Sequence, residues 1–156
     1  METNVLNTNI KSMQMSVLMT PDKANFTGHV HGGELLKYLD QIAYACATRY
    51  CGHYVVTLSV DKVLFKRPIF VGNFVTFFAS INYAGSTSME VGIKVVAEDI
   101  HKKTATHTNT CYFTMVALDD NKRPIRVPQL ELESDEDVRR YKEAKKRREN
   151  RLKDRL

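Results

Sequence analysis

A chain of 156 residues suits one domain and leaves little room for two, and a hydrophobic content of 43% is enough to build a core. No run of about 18 or more apolar residues occurs, so no membrane-spanning segment is expected. The net charge of +5 is unevenly placed: residues 131–137 carry five acids, and residues 138–156 carry ten bases against three acids. A basic segment attracts phosphate, on nucleic acid, membrane or a nucleotide-bearing small molecule. The first twenty residues lack the basic start and apolar block of a signal peptide. Cys46, Cys51 and Cys111 fit neither a disulfide framework nor a paired zinc pattern. Buried thiols in a reducing compartment are the expectation, and with them a cytoplasmic protein.

In chain order, residues 10–19 are apolar enough for a first strand, and residues 20–28 are rich in turn formers. A helix is predicted over residues 33–50. Leu35, Leu39, Ile42 and Cys46 recur at three- and four-residue spacing, with Leu36, Ala43, Ala47 and Tyr50 in an adjacent row. So broad an apolar face predicts a largely buried helix. The period then changes to two, predicting strands over residues 54–65, 73–83, 88–97 and 105–118. Gly85-Ser86-Thr87 and residues 99–103 read as tight connections, and residues 67–72 as a longer link. One strand, a buried helix and four strands in series predict an α+β fold, with an antiparallel sheet wrapped around one long central helix. Pro124 and Pro128 close the domain. A C-terminal basic helix follows over residues 134–155, with Ser134 as N-cap and Asp135, Glu136 and Asp137 at the positive end of its dipole. Its bases crowd the end that the dipole favours, which gives the charge pattern a structural explanation.

The run Pro21-Asp22-x-x-Asn25-x-x-Gly28-x-x-x-Gly32-Gly33-x-x-Leu36-x-x-x-Asp40 resembles the signature of hotdog-fold acyl-CoA thioesterases, of the type that includes broad-specificity bacterial enzymes and the two-domain brain acyl-CoA hydrolase. Further matches follow in order: residues 56–61, Phe65-x-x-Pro68-Ile69, Gly85-Ser86-Thr87-Ser88-Met89, residues 111–117 and Val127-Pro128. The resemblance covers about residues 13–130. It implies a hotdog thioesterase domain over residues 8–130, followed by a charged helical tail over residues 131–156. It also implies an acyl-CoA substrate, hydrolysis to fatty acid and CoA without a cofactor, and two chains paired into one continuous sheet. Three such pairs would form a hexamer.

Hydrolysis of a thioester needs a polarised carbonyl, an activated water and a held acyl group. The first N–H groups of a helix have no partner within it and point outward at the positive dipole end. The resemblance makes the Gly33 N–H the donor to the carbonyl oxygen; a tight turn is the bland reading of Gly32-Gly33. Asp40 lies two turns further along an apolar helix, where a carboxylate is costly unless paired or used. It is otherwise a surface residue on a wet edge near Lys37 and Gln41. The resemblance makes it a general base on water or the attacking nucleophile. The water route needs no anhydride intermediate and is preferred. Asn25, in the loop before the helix, would orient the water or bind the carbonyl. Related enzymes draw the Asn and the Asp of one site from different subunits; this chain carries both, so a homodimer would hold two complete sites.

For the CoA portion, the resemblance points to the backbone at Ser59 and Val60 and to the turn Gly85-Ser86-Thr87-Ser88. Lys66 and Arg67, or residues 145–148, are further candidates for its phosphates. His29 and His31 lack a third ligand, so no metal site is expected. Three rival readings have distinct signatures. A hotdog hydratase or dehydratase would use His29 or His31 as base and change a double bond. A nucleic-acid-binding module is opposed by the absence of an RNA-recognition signature and by Glu143 and Glu149 within the basic run. A non-catalytic acyl-CoA sensor would leave the ester intact.

Overall fold

The computed structural model describes residues 10–155; the expected domain start at residue 8, the first nine residues of the segment read for a signal peptide, and Leu156 lie outside them. The elements are β1 (Ser12–Leu18), a short 3-10 turn (Pro21–Lys23), α1 (Gly32–Cys51), β2 (Tyr54–Val60), β3 (Phe74–Ala84), β4 (Ser88–Asp99), β5 (Thr104–Leu118) and α2 (Asp135–Lys153). All five strands join one antiparallel sheet in the order β1-β3-β4-β5-β2. Alternation builds its inner face: Val75, Phe77, Ala79 and Ile81 of β3, Met89, Val91, Ile93 and Val95 of β4, and Cys111, Phe113, Met115 and Ala117 of β5 are buried. Against this face lie Leu35, Leu39, Ile42, Ala43, Cys46, Ala47 and Tyr50 of α1. The helix stops at Gly52, whose φ of +73° suits glycine and whose N–H donates to Thr48 O at 2.8 Å. This is the sheet around one central helix expected from the periodicity.

The helix is largely buried, with one open edge. Leu36, Asp40 and Tyr44, each four residues apart, form an exposed row along it, with Leu36 39% and Tyr44 41% accessible. The strand expected over residues 54–65 ends at Val60. Leu58 is an extra residue opposite the Met115–Thr114 step, a β-bulge, and the chain then leaves the sheet to lay the Phe65 ring over Gly32.

The C-terminal helix starts where its cap predicts: Asp137 N–H donates to Ser134 Oγ at 3.1 Å. It does not stand free. Ala144 is fully buried beneath it, Tyr141 stacks on Tyr83 at 5.2 Å, and Lys11 of the first-strand approach pairs with Asp137 at 2.9 Å. Arg147 and Arg151 reach Glu90, a carboxylate only 1% exposed on the outer face of β4. Of the basic run over residues 145–148, Arg147 is therefore engaged within the fold. Among the described residues no helix is long and apolar enough to cross a membrane.

All three cysteines are free and buried. Burial pushes the Cys46 thiol up to about 12, opposed in part by Arg49, and the Cys111 thiol up to about 12, with the charge of Asp61 adding to the effect. Thiolate is the reactive form. Ellman's reagent is expected to label these two thiols only after denaturation; rapid labelling of the native protein would contradict the packing of α1 against β5.

Candidate active site

The loop between β1 and α1 is shaped by Asn25. Its N–H donates to His29 O at 2.6 Å and its C=O accepts from Gly28 N–H at 3.1 Å, closing a tight turn in which Gly28 takes φ +81°. The side-chain oxygen of Asn25 accepts three bonds within the turn: from Thr27 N–H (2.9 Å), Thr27 Oγ1 (2.7 Å) and His29 N–H (3.1 Å). Two of these donors are backbone amides, which fixes the amide's orientation. The Nδ2 group is the part of the side chain left to meet another molecule. The loop is tied to its surroundings by His31 N–H to Lys23 O (2.9 Å) and Val30 N–H to Ile69 O (2.8 Å). Next to Asn25, Phe26 is fully exposed.

Helix α1 begins without a side-chain cap from His31, and its first ladder bond runs from Leu35 N–H to His31 O at 3.2 Å. The N–H groups of Gly32, Gly33 and Glu34 therefore have no partner in the ladder. The two glycines differ. A Cβ at Gly32 would sit 3.4 Å from the Phe65 ring, whereas a Cβ at Gly33 would meet nothing within 4 Å. Gly32 makes room for Phe65; Gly33 opens onto free space.

Asp40 lies seven residues after Gly33, on the same face and about 10 Å further along the axis. It is exposed, and Thr57 Oγ1 donates to its Oδ1 at 2.7 Å. With Gln41, Tyr44, Tyr54, Val55, Val56 and Thr57 it lines an open cleft of about 520 Å³ between α1 and the edge strand β2. Thr57 was not among the sequence-derived candidates. The signal available for it was a hydroxyl at an inward-facing position of a strand, two residues after buried Val55. The structure brings Asp40 and Thr57 together, while Asn25 stands in the loop before α1 and Gly33 at the start of that helix. Tyr44 lines this cleft, whereas Phe74 of β3 is half-buried and Phe77 is fully buried core.

The expected CoA-binding positions lie elsewhere. Ser59 follows the bulge, and its Oγ is buried without a partner; Val60 ends the edge strand with its side chain 42% accessible. The turn at Gly85-Ser86-Thr87-Ser88 is closed by Gly85 N–H to Ser88 O at 2.8 Å. Its Ser86 and Thr87 carbonyls accept from Val127 and Ala117 N–H, so its hydroxyls and remaining amides are the groups open to a ligand. His29 Nδ1 lies 3.3 Å from Thr27 Oγ1 and its ring meets Phe70 edge-on. Among the described residues no group of three or more His, Cys, Asp or Glu is placed to hold a metal ion.

An antiparallel sheet wrapped around one long central helix is the hotdog architecture. A thioesterase superfamily profile matches residues 27–104. The VdlD protein of Helicobacter pylori is 57% identical over 137 residues, covering 88% of this chain and 78% of its own. A hexameric acyl-CoA thioesterase solved without ligand superposes with a TM-score of 0.89 at 34% identity, over 93% of each chain. An acyl-CoA hydrolase from Staphylococcus aureus, solved with butyryl-CoA and CoA, gives 0.86 at 33% identity, over 92% of this chain and 88% of its own. Alanine variants of that hydrolase at an asparagine, an aspartate and a threonine have also been solved. Those residues stand at the same intervals along its chain as Asn25, Asp40 and Thr57 along this one. The chain belongs to the thioesterase superfamily, among its hotdog-fold acyl-CoA thioesterases.

Proposed function

We propose that this protein hydrolyses fatty acyl-CoA to free fatty acid and CoA at sites shared between two copies of the chain, Asn25 and Gly33 coming from one and Asp40 with Thr57 from the other. The observation that carries this reading is Asp40: a carboxylate on the central helix, exposed in an open cleft and held through one oxygen by Thr57. The thioester carbonyl accepts from Gly33 N–H and Asn25 Nδ2, a pair of donors fixed before substrate arrives. Such fixed donors stabilise the developing oxyanion by roughly 3–4 kcal/mol each. The free oxygen of Asp40 takes a proton from water as the water oxygen attacks the carbonyl carbon. The tetrahedral intermediate collapses, the C–S bond breaks, and the proton on Asp40 passes to the leaving thiolate.

We assign the pantetheine amides to the backbone at Ser59 and Val60, and the nucleotide end to Gly85, Ser86, Thr87 and Ser88. We assign this chemistry to residues 8–130, with residues 131–156 as a helical tail supporting the domain rather than binding nucleic acid or membrane. A second copy also covers what one chain leaves open: the row Leu36-Asp40-Tyr44, and the edge strand β2 with Tyr54, Leu58 and Val60 accessible. A trimer of such dimers in the cytoplasm is the expected working form.

Release of free thiol from a panel of acyl-CoAs, short to long, tests the reaction; formation or loss of a double bond without thiol release would favour a hydratase. The Asn25 role has a sharper test. Asn25→Asp keeps the oxygen that shapes the turn and loses the Nδ2 donor. It is expected to lower kcat at least about tenfold, as Asn25→Ala does. Wild-type turnover by Asn25→Asp beside an inactive Asn25→Ala would reduce Asn25 to a loop-shaping residue.

A further inference from the structure

We propose that Arg151 is a positioning residue for hydrolysis: by bridging buried Glu90 and Asp61 it ties α2 to the end of β2 and so holds Thr57 against Asp40. The inference rests on the reading of Asp40 and Thr57 given above.

The bulge at Leu58 makes the connection possible. Val55 and Thr57 pair with Ala117 and Met115, on the face toward α1. Regular alternation would put residue 61 on that same face. The extra residue shifts the register, so that Ser59 pairs with Thr114 and Val60 with Phe113, and Asp61 donates its N–H to Tyr112 O at 3.0 Å. One inserted residue moves every later side chain to the opposite face. Within five residues the chain therefore presents Thr57 of β2 to the central helix and Asp61, just past the strand, to α2.

On the α2 side the fork is well built. Arg151 Nη1 donates to Asp61 Oδ2 at 2.8 Å, and its Nη2 donates to Glu90 Oε2 at 3.1 Å. Glu90 is fixed by Arg147 through Nε (3.1 Å) and Nη2 (2.7 Å), and the Arg147 guanidinium lies 3.6 Å from the centre of the Tyr112 ring. The carbonyl that receives the Asp61 N–H belongs to that same Tyr112. Leu58 and Arg151 line one small cleft on this face. The edge strand β2 is hydrogen-bonded to β5 alone among the described strands, so a fastening at its end sets where Thr57 stands. A planar, bidentate guanidinium joining two carboxylates fixes position better than a point charge.

The test is a double-mutant cycle on kcat, with Arg151→Met and Thr57→Val alone and combined. Arg151→Met is expected to lower kcat roughly fivefold in the natural background and less than twofold once Thr57 is gone, because coupled residues are non-additive. Arg151→Lys should recover part of the loss. Arg139→Met, on the same helix but paired with exposed Glu136 and Glu143, should leave kcat unchanged. If Arg151→Met does not fold, Asp61→Asn replaces it in the cycle with the same expected pattern, since Glu90 then keeps both arginines. Equal losses in the two Thr57 backgrounds, or unchanged kcat in a folded Arg151 or Asp61 variant, would overturn the inference and leave the active-site reading intact. Unchanged kcat in Thr57→Val would instead overturn the reading beneath it.

Discussion

Replacing Asp40 with Asn is expected to lower kcat by roughly 10²–10⁴-fold, the range a positioned general base supplies. The amide keeps the size of the carboxylate and an oxygen that can accept from Thr57, but cannot take a proton from water. Asp40 is exposed on α1, and its side chain accepts a hydrogen bond from Thr57. Its replacement should therefore leave stability within about 0.5 kcal/mol, and KM for acyl-CoA should move little, because the carboxylate acts on water rather than on the bound ester. Steady-state kinetics beside a thermal melt measures both. Turnover within a few-fold of the natural protein, with the fold intact, would remove Asp40 from the mechanism.

The second large effect concerns stability. Arg147→Met is expected to destabilise the fold by roughly 3 kcal/mol, at the lower end of the cost of breaking a buried ion pair. Glu90 is 1% exposed, and Arg147 supplies two of its three charged hydrogen bonds. Methionine retains much of the packing on Tyr112 but leaves the carboxylate under-compensated away from water. For a domain of this size the loss corresponds to a fall in Tm of about 6–12 °C. Glu90→Leu combined with Arg147→Met removes both charges and should recover much of it, because the penalty comes from an uncompensated charge rather than from the absence of a pair. A single Arg147→Met variant that melts with the natural protein would mean that α2 is not docked as described.

What the sequence made legible was local. The start of α2 could be read because Ser134 and the acids after it act within one helical turn, and the bond from Asp137 N–H to Ser134 Oγ is the result. The inner faces of β3, β4 and β5 could be read because alternation and burial follow the same period of two. The limits of β2 could not: a bulge is one residue long and leaves Val, Leu and Ser looking like continuous strand. The roles of Arg147, read among the candidates for the CoA phosphates, and of Arg151 could not be read because their partner, Glu90, lies 57 and 61 residues away and shows its burial only in three dimensions. Thr57 was overlooked for the same reason, since Asp40 is a neighbour only across the fold. The row of Leu36, Ala43, Ala47 and Tyr50 was read as apolar throughout; Ala43, Ala47 and Tyr50 are buried, but Leu36 is open in the single chain.

That shared site is tested most directly by combining two inactive chains. Asn25→Ala and Asp40→Asn are each expected to be nearly inactive alone. When the two are co-expressed in equal amounts, half of the dimers are mixed, and each mixed dimer contains one site with both natural residues. About a quarter of the natural activity should return, following from the two-fold symmetry of such a pair. No recovery in verified mixed dimers would place Asn25 and Asp40 in the same site of a single chain and contradict the account.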